Sequence, residues 1–117
     1  MISKLILACF HARTAAHIFH LSTRSRSDHL ALQTFYDEIV DMADRLAEAY
    51  QGEYSLLKFG REPYTLPSTA IEMLEDLREC VDNCSDKFDP SDTHLVAICD
   101  DIRELIGSVS YQLRFLK

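Results

Sequence analysis

Three histidines near the start of the chain and an acidic segment after them are the residues whose types could do chemistry. They are His17, His20 and His29, followed by Asp37, Asp41, Asp44 and Glu48. Imidazole nitrogens and carboxylate oxygens together form the ligand sets that proteins use for iron, manganese and zinc. These residue types could form a site for a divalent transition metal, and the alternative for the acids is a solvated helix face.

The four acids share one face of a predicted helix. At about 100° per residue, their side chains from Asp37 to Glu48 fall within about 60° of one another. Apolar residues recur at helical spacing on nearly the opposite side, namely Leu32, Phe35, Ile39, Met42 and Leu46. Since that apolar stripe must face the core, the acids face away from it. A metal site that uses them needs ligands from a second copy of the chain.

Four predicted helices position these residues, because apolar side chains recur every three or four positions through four segments. The segments run from 2 to about 22, from 28 to about 50, from 68 to about 84 and from about 91 to 115. Ser27 or Asp28 is predicted to cap helix two, and Gly52 to end it. Ser68 is predicted to begin helix three. Three glycines and three prolines leave little material for the turns of an all-β fold.

The connection from Gly52 to Pro67 is the longest one between predicted helices. Its aromatic side chains indicate that it packs along a bundle and carries the chain from one end to the other. Short, long and short connections predict an all-α, ferritin-like four-helix bundle with a long crossover between helices two and three. The 117 residues are expected to form this single domain.

Charge and hydropathy exclude several partners. The chain has 19 acidic and 12 basic residues, and its net charge of -7 disfavours nucleic acid and anionic membrane surfaces. No apolar run approaches the roughly 20 residues that span a bilayer, so we expect no membrane association. These features predict a protein of the cytoplasm.

The four cysteines lie inside helical patterns, which favours reduced thiols in a reducing compartment. Cys80 and Cys84 stand one helical turn apart and could hold a thiophilic metal together with Cys99 or His94. The turn with two intervening residues that is typical of zinc sites is missing. Buried structural thiols are therefore the preferred interpretation.

The spacing of the candidate ligands resembles a known family. The set His17, His29, Asp44 and Glu48, with intervals of 12, 15 and 4 residues, is similar to the ferroxidase ligands of Dps proteins, the mini-ferritins of the ferritin-like superfamily. The segment 44–48 resembles the second-helix motif of that family, and 35–38 resembles the residues before it. The stretch from 20 to 52 also resembles small ferritin-like proteins of bacteriophages.

The resemblance implies an iron site shared between two subunits, with histidines from one and the Asp44 and Glu48 pair from the other. Such a site holds Fe(II), or a similar divalent metal, while O₂ or peroxide oxidises it. His20 competes with His17 as the first ligand, because His20-Leu21 is also similar to the start of the family's motif. The resemblance thus implies a homo-oligomer, at least a dimer, with ferroxidase activity.

A function of another class uses the same face without chemistry. A non-catalytic helical interaction protein could bind a partner through the acidic surface of Asp37, Asp41 and Asp44. For a phage-encoded chain that partner would be a host protein, and the compartment would be the host cytoplasm. The residues alone leave both functions open.

Overall fold

A computed structural model describes residues 1–116 and shows four helices. The helices are α1 (Ile2–Ser22), α2 (Arg26–Glu53), α3 (Ala70–Ser85) and α4 (Thr93–Phe115). This result confirms the predicted all-α four-helix bundle, and residues 1–116 contain no β-strand. None of the four helices is long and apolar enough to cross a membrane.

Each helix packs against two of the others. α1 contacts α2 and α3, and α4 contacts the same two helices. α2 and α3 therefore lie at opposite corners of the bundle, as do α1 and α4. Because α2 touches both α1 and α4, one face of α2 is left toward solvent, and that face carries the predicted acids.

The segment 54–69 joins α2 to α3 without regular secondary structure. At its start, the Tyr54 hydroxyl donates to the Asp92 carboxylate at the beginning of α4. Just after its end, Ala70 lines a cavity together with Phe19 near the end of α1 and Leu113 near the end of α4. Since these contacts involve opposite ends of the helices, the segment runs along the bundle and α2 and α3 point in the same direction.

The core is built from the apolar stripes of the four helices. Phe35 has the largest fully buried side chain, and the stripe to which it belongs on α2 is buried apart from the half-buried Met42. α1 contributes small buried residues, Ala12, Ala15 and Ala16, where it faces its neighbours. Small side chains let helix axes approach closely, so α1 sits tightly between α2 and α3.

The structure corrects the predicted start of α2. Its N-cap is Ser25, whose hydroxyl accepts a hydrogen bond from the Asp28 backbone N–H at 3.2 Å. Ser27 and Asp28, the predicted caps, both lie inside the helix. The Ser27 hydroxyl lies 3.0 Å from that of Ser25 instead of capping the helix itself. α2 therefore begins at Arg26, and Ser27 is part of the helix.

The predicted glycine cap at the other end of α2 is wrong. Gly52 is helical and has no positive φ. The helix continues to Glu53 because the Tyr54 N–H still bonds to the Tyr50 carbonyl at 2.9 Å. The rings of these two tyrosines pack with centroids 5.0 Å apart. Contact between the Tyr50 and Tyr54 rings thus stabilises the last turn of α2, which Gly52 was predicted to end.

The starts of α3 and α4 also shift by one or two residues. Thr69, not Ser68, caps α3, and its hydroxyl accepts from the Glu72 backbone N–H at 3.1 Å. Ser91 lies before α4 because its backbone N–H and hydroxyl both donate to the Asp89 carboxylate, at 2.9 and 2.7 Å. This local turn competes with the helix, so α4 begins only after Asp92.

The bond between Tyr54 and Asp92 predicts how stability depends on alkaline pH. Asp92 is 4% exposed as a residue, and hydrogen bonding to its carboxylate raises the pKa of the Tyr54 hydroxyl from 10.0 to about 12. Because the folded chain holds this proton more tightly than the unfolded chain, the bond stabilises the fold fully below pH 10. That stabilisation is lost as the pH rises through about 12.

We expect Tyr54→Phe to lower the free energy of unfolding at neutral pH, because Asp92 loses its donor. Between pH 10 and 12 the free energy should then fall less steeply in the variant than in wild type. Urea unfolding across this range measures both effects, and Tyr111→Phe, at an exposed tyrosine of α4, is the control. Equal pH slopes for Tyr54→Phe and wild type would contradict the expectation.

Candidate functional site

The three candidate histidines meet at the end of the bundle where α1 turns into α2. The short turn between these helices places His20 beside His29, and their rings stack with centroids 3.6 Å apart and planes 19° from parallel. His17 lies one helical turn earlier, with its ring centroid 5.8 Å from that of His20. The structure therefore gathers all three histidines that the sequence singled out.

His20 and His29 hold each other through reciprocal hydrogen bonds, and we call this pair the histidine clasp. Nδ1 of His20 lies 2.7 Å from the carbonyl oxygen of His29, and Nδ1 of His29 lies 2.8 Å from that of His20. A carbonyl oxygen can only accept, so each Nδ1 donates and carries the ring proton. In the neutral ring, Nε2 then keeps the lone pair that can bind a metal.

The clasp leaves its Nε2 atoms accessible. His20 is only 7% exposed and His29 is half-buried. Within residues 1–116, every buried side-chain nitrogen or oxygen has a hydrogen-bond partner. The Nε2 atoms of the clasp make no hydrogen bond to the described residues, so they must reach solvent. A ligand arriving from outside can therefore meet these lone pairs.

Tyr36 of α2 completes the cluster, and sequence reasoning treated it only as a core or interface aromatic. Its ring stacks on His17, with centroids 4.4 Å apart and planes 21° from parallel. It also meets the ring of His20 edge-on at 5.2 Å. These contacts fix the orientations of both imidazoles on α1. The sequence feature that could have identified Tyr36 is its position two helical turns after His29, which places it on the side of α2 that faces α1.

The proposed carboxylate ligands Asp44 and Glu48 lie far along α2 from His29 of the same chain. All four acids, Asp37, Asp41, Asp44 and Glu48, are exposed on α2. Fifteen residues separate His29 from Asp44, which is about 22 Å along a helix. Residues 1–116 contain no group of three or more His, Cys, Asp and Glu side chains that could hold a metal ion. One copy of the chain does not assemble the predicted ligand set.

The acidic face has no counter-charge among residues 1–116. The salt bridges in the described part of the chain involve none of the four acids. Arg45, the basic residue nearest to them on α2, reaches toward Asp101 of α4 at 3.4 Å instead. Carboxylates one turn apart, such as Asp44 and Glu48, repel each other. The face would therefore gain from contact with a cation or a basic surface.

Exposed apolar side chains lie at the same end of the bundle as the clasp. Ile18 and Leu21 of α1 and Leu30 of α2 are all exposed, Leu21 by 72%. Single exposed leucines are common on protein surfaces, but a group of them beside polar residues is typical of protein interaction sites. The surface around the histidines is thus suited to contact with another protein chain.

Comparison with known proteins adds one finding. A family model described as a family of unknown function, DUF5856, matches residues 20–113, which is most of the chain. The match begins at His20 and includes His29, Asp44 and Glu48, whereas His17 lies before it. No curated protein and no solved structure matches the chain at a significant score.

Proposed function

The chain belongs to this family of unknown function, and we propose that it binds a divalent transition metal, iron first, at a site shared by two copies. His29 and either His17 or His20 supply imidazoles from one copy. Asp44 and Glu48 supply carboxylates from the other. The histidine clasp is the observation that carries this proposal.

The clasp has the hydrogen bonding that metal-binding histidines need. Such histidines almost always donate their second ring N–H to a carbonyl or carboxylate, which fixes the tautomer and makes the other nitrogen a better ligand. His20 and His29 both donate Nδ1–H to a carbonyl. Their Nε2 atoms are therefore prepared for a metal before it arrives. His17 is held by stacking alone, which makes His20 the better partner for His29.

The donor set fits iron or a similar metal. Mixed imidazole and carboxylate ligands suit Fe, Mn and Zn better than soft ions such as Cu(I). Asp44 and Glu48 are one turn apart on the same exposed face, so both carboxylates can reach one ion. Neither acid forms a salt bridge with another described residue, so a cation breaks no ion pair in that part of the chain.

A two-fold axis brings the two halves of the site together. If the α2 helices of two copies run antiparallel, the axis crosses them midway between His29 and Asp44, close to Asp37. Each dimer then has two equivalent sites. The arrangement also brings the acidic faces of both copies close, so bound cations offset their repulsion. Metal is therefore expected to promote the dimer.

Fe(II) is the substrate in the reaction that the resemblance implies. Each Fe(II) gives one electron to O₂ or to peroxide, and the reduced oxygen takes up protons to form water. The carboxylates of Asp44 and Glu48 offset the added positive charge of Fe(III), which favours oxidation. The imidazoles of His20 and His29 hold the ion in place. The reaction fits a reducing cytoplasm, where the four thiols also stay reduced.

Anaerobic Fe(II) titration followed by exposure to air tests the proposal. We expect wild type to bind about one Fe(II) per chain and to speed its oxidation. Asp44→Asn/Glu48→Gln should weaken binding by at least about 100-fold, because both carboxylate ligands are lost. These exposed substitutions should change the free energy of unfolding by less than about 0.5 kcal/mol.

Asp100→Asn/Glu104→Gln is the matched control for this titration. These acids have the same spacing as Asp44 and Glu48 and are also exposed, but they lie on α4, where Asp100 pairs with Arg103 at 2.7 Å. The control should bind and oxidise iron like wild type. The proposal is wrong if wild type binds no Fe(II) and oxidises it no faster than Asp44→Asn/Glu48→Gln.

A second function is favoured by the unpaired acids and the apolar group near the clasp. A basic partner protein could bind the face of Asp37, Asp41 and Asp44, and for a phage-encoded chain this partner is a host protein. That function needs neither the clasp nor a metal. Absence of iron binding in the titration would therefore favour it over the metal site.

A further inference from the structure

Four thiols converge at the end of the bundle opposite the histidine clasp. Cys9 of α1, Cys80 and Cys84 of α3 and Cys99 of α4 are all free, and all but Cys80 are buried. The thiol of Cys9 interacts electrostatically with the other three. The packing of α1, α3 and α4 thus brings the four cysteines to one place. The proposed iron site uses none of them.

Cys80 and Cys84 open into a groove between α1 and α3. The groove has a volume of about 450 Å³, and Met1, Lys4 and Lys87 also line it. Because Cys80 and Cys84 stand one turn apart, their β-carbons are about 5–6 Å from each other, so both sulfurs can reach one ion. Met1, whose side chain carries a thioether, lines the same groove. Three sulfur-containing residues therefore line one groove.

We propose that this groove binds a soft monovalent metal ion, Cu(I), through the thiolates of Cys80 and Cys84, with the Met1 sulfur as a further ligand. Thiolate and thioether ligands select Cu(I) over harder ions. Cu(I) accepts low coordination numbers, whereas a structural zinc ion needs four ligands. The described residues place no third His, Cys, Asp or Glu where it could complete a zinc site.

The charges around the groove fit a bis-thiolate copper complex. Binding replaces the S–H protons of Cys80 and Cys84 by one Cu(I) and releases both protons to solvent, with no change in oxidation state. The complex carries one negative charge. Lys4 and Lys87 offset this charge, while Asp76 and Glu79 of α3 face the same groove and oppose it.

Competition with a coloured Cu(I) chelator, bicinchoninate, tests this site. The reduced full-length chain is mixed anaerobically with the Cu(I) complex, and wild type is expected to withdraw about one Cu(I) per chain. X-ray absorption at the copper edge should then show only sulfur ligands. Cys80→Ser and Cys84→Ser should each lose the withdrawn copper. Cys99→Ser, at a buried cysteine outside the groove, should retain it.

Three outcomes would overturn the proposal. In the first, wild type withdraws no copper from the chelator. In the second, Cys80→Ser or Cys84→Ser withdraws as much copper as wild type. In the third, Cys99→Ser loses its copper while circular dichroism shows a folded chain. Cys80 is half-buried, so Cys80→Ser decides the question even if a buried substitution disturbs folding. His29→Ala should keep its copper, so failure of the iron site and failure of the copper site are separate results.

Discussion

Mixing two inactive variants is expected to restore iron binding that neither variant has alone. His29→Ala removes an imidazole of the clasp, and Asp44→Asn/Glu48→Gln removes both carboxylates. Each proposed site takes histidines from one copy and acids from the other. A dimer of the two variants therefore has one intact site and one site that lacks all of these ligands. Restoration would show that the site lies between copies.

The size of this effect follows from random association. Half of the dimers in an equal mixture contain both variants, and each has one intact site of two, so about a quarter of the wild-type capacity should return. Fe(II) titration of the separate variants and of the mixture after joint refolding measures it. No single chain in the mixture carries His29 together with Asp44 and Glu48, so restored binding can come only from a site shared by two copies.

The control mixture contains His29→Ala and a triple variant, His29→Ala/Asp44→Asn/Glu48→Gln. Neither chain supplies His29, so this mixture should bind no iron. Circular dichroism of each chain shows whether loss of one clasp hydrogen bond has disturbed the fold. If the first mixture binds no more iron than its separate components do, the shared site is wrong.

Phe35→Ala is expected to destabilise the fold by about 3–5 kcal/mol, because removing a fully buried aromatic side chain loses its burial and leaves a cavity. Phe35 has no exposed surface and is the largest such side chain in the core. The total stability of a domain is about 5–15 kcal/mol, so the variant should lose a substantial fraction of its free energy of unfolding.

The effect should extend to function because Phe35 anchors the helix that carries both halves of the proposed site. His29 and Asp44 lie on α2 on either side of it. Urea unfolding followed by circular dichroism measures the loss of stability. Phe115→Ala, at a phenylalanine that is 71% exposed, should change it by less than about 0.5 kcal/mol. A loss below about 1 kcal/mol for Phe35→Ala would contradict the central position of this ring.

The sequence predicted the four helices but not their ends. Apolar spacing places a helix correctly because the repeat extends over several turns and tertiary contacts reinforce it. A cap depends on one or two hydrogen bonds instead. Ser25 rather than Ser27 accepts from the first turn of α2, and ring contact between Tyr50 and Tyr54 extends that helix past Gly52. Neighbouring candidates for these bonds look alike in a sequence.

The acidic face of α2 could be predicted from the sequence alone. The helical period places Asp44 and Glu48 on one side and Phe35 on the other, whatever the rest of the chain does. Burial of Phe35 and exposure of both acids agree with that prediction. The same reasoning showed that these carboxylates need ligands from outside their own bundle. Whether a second copy provides them is the proposal that the mixing experiment tests.

Only the tertiary structure determined how the histidines are held. In the sequence, His17 and His20 compete as the first ligand, because His17 matches the ligand spacing of the family that the chain resembles and His20-Leu21 resembles the start of its motif. The structure pairs His20 with His29 through reciprocal hydrogen bonds and stacks His17 on Tyr36.

The convergence of the four cysteines was likewise decided by the tertiary structure. Cys9 lies far from Cys80 in the chain, and the contact of α1 with α3 brings them into one cluster. The physical reason is the same for the histidines and the thiols. The helical period determines which side of a helix a residue occupies, whereas helix packing determines what that side meets.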